Sequence, residues 1–127
     1  MAISMRLAAA RVFVSDVAGA AAFYRDQVGL EPHEIRPDEG YAVFALAGGG
    51  ALVLEEDTPD EEAADGLVGR LVGVSLAVDD LDAAYETLSG EGVRFLGPPE
   101  EQPWGGRTAD FCDPDDNILT LVELRKP

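Results

Sequence analysis

Two stretches of this 127-residue chain share one pattern, and that pattern decides the fold. Residues 11–30 read RVFVSDVAGAAAFYRDQVGL, and residues 74–95 read VSLAVDDLDAAYETLSGEGVRF. Each stretch begins with a short apolar strand, passes through an aspartate into a helical segment and then reaches glycine. Asp80 follows Asp16 by 64 residues, which is about half of the chain. A repeat with this period predicts that the chain is a duplicated unit.

Each stretch also carries the signals of one amphipathic helix. Asp16 and Asp80 are placed to cap helices over about 17–28 and 81–89, because an aspartate accepts hydrogen bonds from the free N–H groups of the first turn. Side chains that recur at helical spacing predict one sheet-facing side for each helix. They are Ala20, Phe23, Tyr24 and Gln27, then Leu81, Ala84, Tyr85 and Leu88. The glycines expected to end the helices are Gly29, Gly90 and Gly92.

Turn-forming residues divide the remainder of each half into three predicted strands. The expected strands cover about 31–36, 41–47 and 50–56, then 93–96, 106–112 and 117–124. A turn that starts at Asp113-Pro114 precedes the last strand, and either Asp116 or Asn117 can adopt the positive φ that it needs. The order of elements in each half is therefore strand, helix and three strands.

This order predicts a single α+β domain over residues 1–127. It comprises two βαβββ modules, at about 1–56 and 70–124, which together form a cupped mixed sheet. Residues 57–69 are acidic and lack a strand pattern, so we expect them to link the modules.

Composition and charge exclude several partners. Nine Lys and Arg against 25 Asp and Glu give a net charge of −16. Nucleic acid and anionic membranes are bound by basic side chains, so neither is an expected partner, whereas a cationic ligand would be attracted. The chain has no apolar run long enough to span a bilayer. It also has no signal-peptide pattern. With a single cysteine, Cys112, which cannot form an internal disulfide, these features predict a cytoplasmic protein.

The repeated stretches resemble the vicinal oxygen chelate superfamily, which includes glyoxalase I, fosfomycin-resistance enzymes, extradiol dioxygenases and bleomycin-resistance proteins. The resemblance covers nearly the whole chain and is carried by residues 14–30 and by the turn at 111–117. Residues 16–20 and the segment Glu101-Gln102-Pro103-Trp104-Gly105 are most similar to bleomycin-binding members. The resemblance implies the fold but leaves the function open. It also implies a homodimer whose clefts form from both chains.

Metal-dependent members of this superfamily place one ligand on the first and one on the last strand of each module. The resemblance puts those positions near Ala9, Val53, Gly73 and Thr120. A divalent ion needs several deprotonated or imidazole donors, and none of these side chains is a histidine or an acid. Glu55, two residues beyond Val53, would add only one carboxylate. We therefore expect no metal, no cofactor and no catalytic residue.

Strand alternation predicts what lines the cleft instead. Arg11 and Phe13 of the first strand and Thr120 of the last are expected on the concave side, among small neighbours that leave room for a bulky ligand. The resemblance places Trp104 where bleomycin-binding proteins stack a planar ligand; the alternative is that it plugs the end of the sheet. Arg11 can pair with Glu55 or clamp a ligand carboxylate. The predicted ligand-binding residues are Trp104, Phe13, Arg11, Tyr41, Glu55 and Thr120.

These features favour a metal-free protein that sequesters a planar or cationic small molecule, as in bleomycin-type antibiotic resistance. The alternative is a glyoxalase-like lyase or isomerase, or a dioxygenase, that uses a metal. A third possibility is an accessory module that binds a metabolite for another protein, and the sequence does not separate it from the first. Acidic stretches such as Glu100-Glu101 either surround the cleft mouth and attract a cation or form solvated surface.

Overall fold

The first half of the chain forms a four-stranded mixed sheet with one helical segment on it. A computed structural model describes residues 3–57 and 67–124, so most of the predicted linker lies outside the described residues. The strands of the first sheet are β1 (Ala9–Val14), β2 (Glu31–Arg36), β3 (Tyr41–Ala45) and β4 (Ala51–Glu56). Their order is β1-β4-β3-β2, and only the β1–β4 pair is parallel. The helical segment starts as α1 (Val17–Ala22) and continues as π-helix over Phe23–Val28.

The second half repeats this plan with a five-stranded mixed sheet and one helix. Its elements are β5 (Leu71–Ala77), α2 (Leu81–Gly90), β6 (Arg94–Phe95), β7 (Glu100–Glu101), β8 (Arg107–Cys112) and β9 (Ile118–Glu123). The sheet runs in the order β5-β9-β8-β6, with β7 also paired to β8. An isolated parallel bridge between Phe13 and Val68 connects the two halves. The strands thus belong to two hydrogen-bonded sheets rather than to one continuous sheet.

The predicted α+β class with mixed sheets is confirmed, and most predicted strands differ from the observed ones only at their ends. The strand expected over 93–96 has two residues, and β7 was not expected. Both pair with β8, and Gly97-Pro98-Pro99 separates them because proline has no N–H to give to a ladder. The turn before β9 takes its positive φ at Asp116, at 64°.

One apolar core extends through both halves. Alternate residues of β1, β3 and β4 and the inner faces of α1 and α2 contribute to it. Its largest fully buried apolar side chains are Tyr24, Phe44, Phe111, Leu52, Leu54, Leu81 and Leu119. Within the described residues, no helix is long and apolar enough to cross a membrane.

Mutation of Asp16 tests the predicted N-cap of α1 directly. Asp16 accepts a hydrogen bond from the backbone N–H of Ala18 at 3.2 Å. Replacing Asp16 with alanine should lower the free energy of unfolding by about 1 kcal/mol, as measured by urea denaturation. Asp16→Asn is the control, because asparagine also caps and should leave stability nearly unchanged. Equal losses in both variants would show that the charge, rather than the cap, is what matters.

Candidate functional site

Four of the six predicted ligand-binding residues lie on one face of the first sheet. In the strand register Phe13 lies opposite Glu55, and Glu55 lies opposite Tyr41. Arg11 is two residues before Phe13 on β1, so strand alternation puts its side chain on the same face. The intervening residues of β1 point the other way and are buried in the core. The predicted alternation of side chains along β1, with Arg11 and Phe13 facing away from the core, is therefore observed.

Arg11 and Glu55 form a two-pronged ion pair across the parallel strands. Arg11 Nε donates to Glu55 Oε1 at 2.7 Å, and Nη2 donates to Oε2 at 2.8 Å. The guanidinium carbon also lies 5.2 Å from the centroid of the Phe13 ring. These hydrogen bonds hold the pKa of the Glu55 carboxyl below its ordinary value, against the opposing effect of partial burial. A ligand carboxylate would therefore have to compete with Glu55 for Arg11.

Titration of Glu55 tests this pairing. A carboxyl whose pKa is depressed by folding contributes stability above its unfolded pKa and loses that contribution as the pH falls through its folded pKa. In an NMR titration of the Glu55 carboxyl carbon, the pKa should therefore lie below that of an ordinary glutamate, and Arg11→Gln should raise it. Arg25→Gln is the control, because Arg25 pairs with Asp26 instead. A midpoint of Glu55 that Arg11→Gln leaves unchanged would contradict the pairing.

Thr120 lies on the second sheet, away from these four residues. It is paired with Ser75 on one side and with Asp110 on the other. Its hydroxyl donates a hydrogen bond to Asp110 Oδ1 at 2.6 Å. On the first sheet, burial and a hydrogen bond to Glu34 raise the pKa of Tyr41 above its ordinary value.

The positions that the resemblance associates with metal binding do not supply a donor set. Ala9, Val53 and Gly73 have no side-chain donor atom. The Thr120 hydroxyl is a poor ligand, and it already donates to Asp110. Across residues 3–57 and 67–124, no group of three or more His, Cys, Asp and Glu side chains comes close enough to hold an ion. The residues present therefore do not fit a divalent metal.

Trp104 lies in a tight loop between β7 and β8, with 60% of its surface exposed. Two backbone hydrogen bonds close the loop, from Gln102 N to Gly106 O at 2.8 Å and from Gly105 N to Gln102 O at 3.0 Å. The Gln102 side chain donates to Thr108 Oγ1 at 2.9 Å, which ties the loop to β8. The structure thus holds Trp104 at the surface on a hydrogen-bonded turn.

A cavity of about 780 Å³, here called the loop cavity, adjoins this turn. It is lined by residues of the turn, the start of α2 and the end of β9. The lining residues that carry charge are Asp79, Asp80, Glu101, Arg107 and Glu123. Arg107 donates two hydrogen bonds to Asp82 on α2, at 2.9 and 3.0 Å. The volume lies in the range of drug-sized ligand sites, roughly 300–1,000 Å³, and the excess of carboxylates favours a cation.

The structure does not bring Trp104 and Phe13 to one cavity. Phe13 and Arg11 line a space of about 150 Å³ together with residues around Arg70, and this is too small for a drug-sized ligand. Trp104 does not line this space, and neither Phe13 nor Trp104 lines the loop cavity. The predicted ligand-binding residues thus form two groups, one on each sheet.

Sequence reasoning missed a buried polar network in the turn before β9. Asp113 and Asn117 are 2% and 0% exposed. Asp113 accepts hydrogen bonds from the Tyr24 hydroxyl at 2.8 Å and from Asn117 Nδ2 at 2.9 Å. Burial, followed by the charge of Asp113, raises the pKa of Tyr24 well above its ordinary value. The Asp-Pro-Asp-Asp-Asn motif was visible in the sequence, but only as a turn.

An apolar groove of about 570 Å³ was also missed. It runs between the end of the π-helix and the β3–β4 turn on one side and β5 with α2 on the other.

The structure also locates two residues to which the sequence assigned no role. His33 is exposed at a bulge in β2, which is the edge strand of the first sheet. Cys112 is a buried free thiol.

Comparison with known proteins gives the family. The model of the Glyoxalase/Bleomycin resistance protein/Dioxygenase superfamily matches residues 6–121, so the chain belongs to this superfamily. It is 35% identical to the structure of TnmS3, an antibiotic binding protein from Streptomyces sp. CB03234, over 98% of this chain and 99% of that chain, with a TM-score of 0.77.

Two further solved structures are similar to this chain. The chain is 33% identical to a superfamily member from Sphaerobacter thermophilus DSM 20745, over 94% of this chain and 98% of that one, with a TM-score of 0.75. It is 20% identical to lactoylglutathione lyase from Agrobacterium tumefaciens, over 95% of both chains, with a TM-score of 0.73. The likeness to the lyase shows the fold alone. An antibiotic binding protein and a lyase thus share this fold.

Proposed function

We propose that this protein binds a planar or cationic small molecule and sequesters it, as an antibiotic-binding protein does. The observation that carries the proposal is the 35% identity, across 98% of this chain, to an antibiotic binding protein. Sequestration of a bleomycin-type antibiotic is one specific form of this function. It agrees with the Glu101–Gly105 segment, which is similar to bleomycin-binding proteins.

The surroundings of Trp104 support the same function. An indole that is 60% exposed on a hydrogen-bonded turn offers an apolar stacking surface to a flat ligand. The adjacent loop cavity has the volume of a drug-sized site and more carboxylates than cations on its walls. The net charge of −16 further raises the local concentration of a cationic compound.

We also propose that the protein is a homodimer in which each binding cleft takes residues from both copies. Phe13 lies on the first sheet, whereas Trp104 lies in the β7–β8 loop of the second half. Neither the loop cavity nor the small space beside Phe13 is lined by both residues. A second copy would bring the Phe13 face of one chain opposite the Trp104 loop of the other. Strand β2 is an edge of the first sheet, and an open sheet edge favours association.

The metal-dependent alternative has less support. The likeness to a lactoylglutathione lyase is 20% identity, which carries the fold without the activity. The residues at the implied metal positions lack donors, apart from the Thr120 hydroxyl that already donates to Asp110. No specific observation favours a lyase, an isomerase or a dioxygenase.

Intrinsic fluorescence tests ligand binding, because Trp104 is the only tryptophan. Titration with metal-free bleomycin and with the planar, cationic anthracycline daunorubicin should quench the emission in a saturable way. Isothermal calorimetry should give the same dissociation constant. Trp104→Phe is the control for the optical signal, since it removes the emission without removing the aromatic ring. If neither method detects binding of any compound in a panel of DNA-active antibiotics, the proposed function is wrong.

A further inference from the structure

The indole of Trp104 lies directly against the α-carbon of Gly106. A Cβ added to Gly106 would lie 2.6 Å from Cη2 and 3.0 Å from Cε3 of the indole, and closer still to Cζ3. Ordinary van der Waals contact between carbons requires about 3.5 Å or more. Gly106 is buried although it lies in a surface loop, and more than half of Trp104 remains exposed. The observed position of the indole therefore exists only because residue 106 has no side chain.

The turn itself holds Gly106 and Trp104 in this relation. Gly106 O accepts from Gln102 N, and Gly105 has a φ of 98°, which side-chain-bearing residues rarely adopt. The Gln102 side chain is anchored on Thr108. Because both ends of the turn are fixed, the indole has a defined support on one side and an open surface elsewhere.

We propose that Gly106 is a positioning residue that sets the orientation of Trp104 for stacking on a flat aromatic ligand. This inference rests on the proposed function and narrows its ligand to compounds with an extended planar ring system. Stacking depends on ring orientation, and an indole that is already oriented loses less conformational freedom when the ligand binds. A side chain at 106 would force the indole off its support and turn the stacking surface away.

The test compares Gly106→Ala with Gly90→Ala. Gly90 is the last residue of α2, and a Cβ added there meets nothing within 4 Å, so the second variant controls for a glycine-to-alanine change without a clash. Without ligand, Gly106→Ala should change the near-UV circular dichroism and the emission maximum of Trp104, whereas Gly90→Ala should change neither. With daunorubicin, Gly106→Ala should weaken binding by about tenfold, the ratio that corresponds to one lost aromatic contact, and Gly90→Ala should not.

A double variant shows whether Gly106 acts through Trp104. In Trp104→Ala the space over Gly106 is open, so Trp104→Ala and Trp104→Ala/Gly106→Ala should bind daunorubicin with the same affinity. This comparison is free of the clash, so it also decides the question if Gly106→Ala folds poorly. A further loss of binding in the double variant would overturn the positioning role, as would an unperturbed Trp104 spectrum in Gly106→Ala.

The two proposals fail in different ways. If wild type binds daunorubicin and Gly106→Ala binds it equally well, Gly106 does not position Trp104 for the ligand, and the proposed function stands. If wild type binds only antibiotics without an extended planar ring system, the narrowing to flat ligands is wrong and sequestration stands. If wild type binds no antibiotic of the panel, both proposals are wrong.

Discussion

Replacing Asn117 with alanine should lower the free energy of unfolding by about 3–5 kcal/mol, because several buried hydrogen bonds are lost at once and a buried group left without a partner costs about 1–3 kcal/mol. The Asn117 side chain is fully buried and makes several hydrogen bonds at once. Its amide nitrogen donates to Phe13 O at 2.8 Å and to Asp113 Oδ2 at 2.9 Å, and its oxygen accepts from Gly69 N at 2.8 Å. Alanine would remove a hydrogen bond from each of these buried groups; Asp113 would keep the one from the Tyr24 hydroxyl, whereas Gly69 N and Phe13 O would lose their side-chain partner.

Urea denaturation at a fixed protein concentration measures this loss. Asp116→Asn is the matched control in the same turn. Asp116 has a φ of 64° and an exposed side chain paired with Arg94, and asparagine tolerates that backbone conformation. The control should therefore unfold at nearly the wild-type midpoint. Similar midpoints for Asn117→Ala and the control would show that the network is not a major source of stability.

Loss of Asn117 should also loosen the connection between the two sheets. The turn before β9 holds the end of β1 through Phe13 O, and it holds the chain entering β5 through Gly69 N. Ser15 adds a second link, since its backbone N–H and hydroxyl both donate to Asp115. Amide hydrogen exchange in β1 and β5 should therefore accelerate in Asn117→Ala more than exchange in β3 does.

The second large effect is recovery of tight binding on mixing two variants that each bind the ligand weakly. If each cleft combines the first sheet of one copy with the Trp104 loop of the other, Trp104→Ala and Phe13→Ala should each bind daunorubicin or bleomycin poorly. A heterodimer of the two contains one cleft with both residues intact. Random assortment makes half of the dimers mixed, so a refolded equimolar mixture should recover about a quarter of the wild-type sites.

Calorimetric stoichiometry provides the measurement, and a second mixture provides the control. Trp104 lies in the β7–β8 loop of the second half and Thr120 lies on β9 of the same half, so a heterodimer of Trp104→Ala and Thr120→Ala has one defect in each cleft and should recover nothing. Recovery in the control, or none in the Trp104→Ala and Phe13→Ala mixture, would contradict a shared cleft. Wild-type binding by Phe13→Ala alone would confine the site to the loop cavity of a single copy.

The sequence predicted the parts of the candidate site that depend on neighbouring strands. The Arg11–Glu55 pair was one of two expected outcomes because an arginine on an apolar strand needs a carboxylate partner, and the structure pairs the two across adjacent strands. The same reasoning put Phe13 and Arg11 on one face. It could not show whether that face meets Trp104, because no periodic pattern encodes how a loop lies relative to a sheet. In the structure Phe13 lines a small space beside Arg70, and Trp104 lies exposed in the β7–β8 loop.

What the sequence determined by itself is local: Asp16 and Asp80 cap the helices, Gly29 ends the first helical segment at a φ of 86°, and alternation selects the buried face of β1. These features depend on interactions within a few residues, which composition and spacing express directly. Only the tertiary structure placed Asn117 against Phe13 O, a contact between residues 104 positions apart. Such contacts depend on how separate elements pack in three dimensions, and neither residue type nor spacing along the chain specifies that packing.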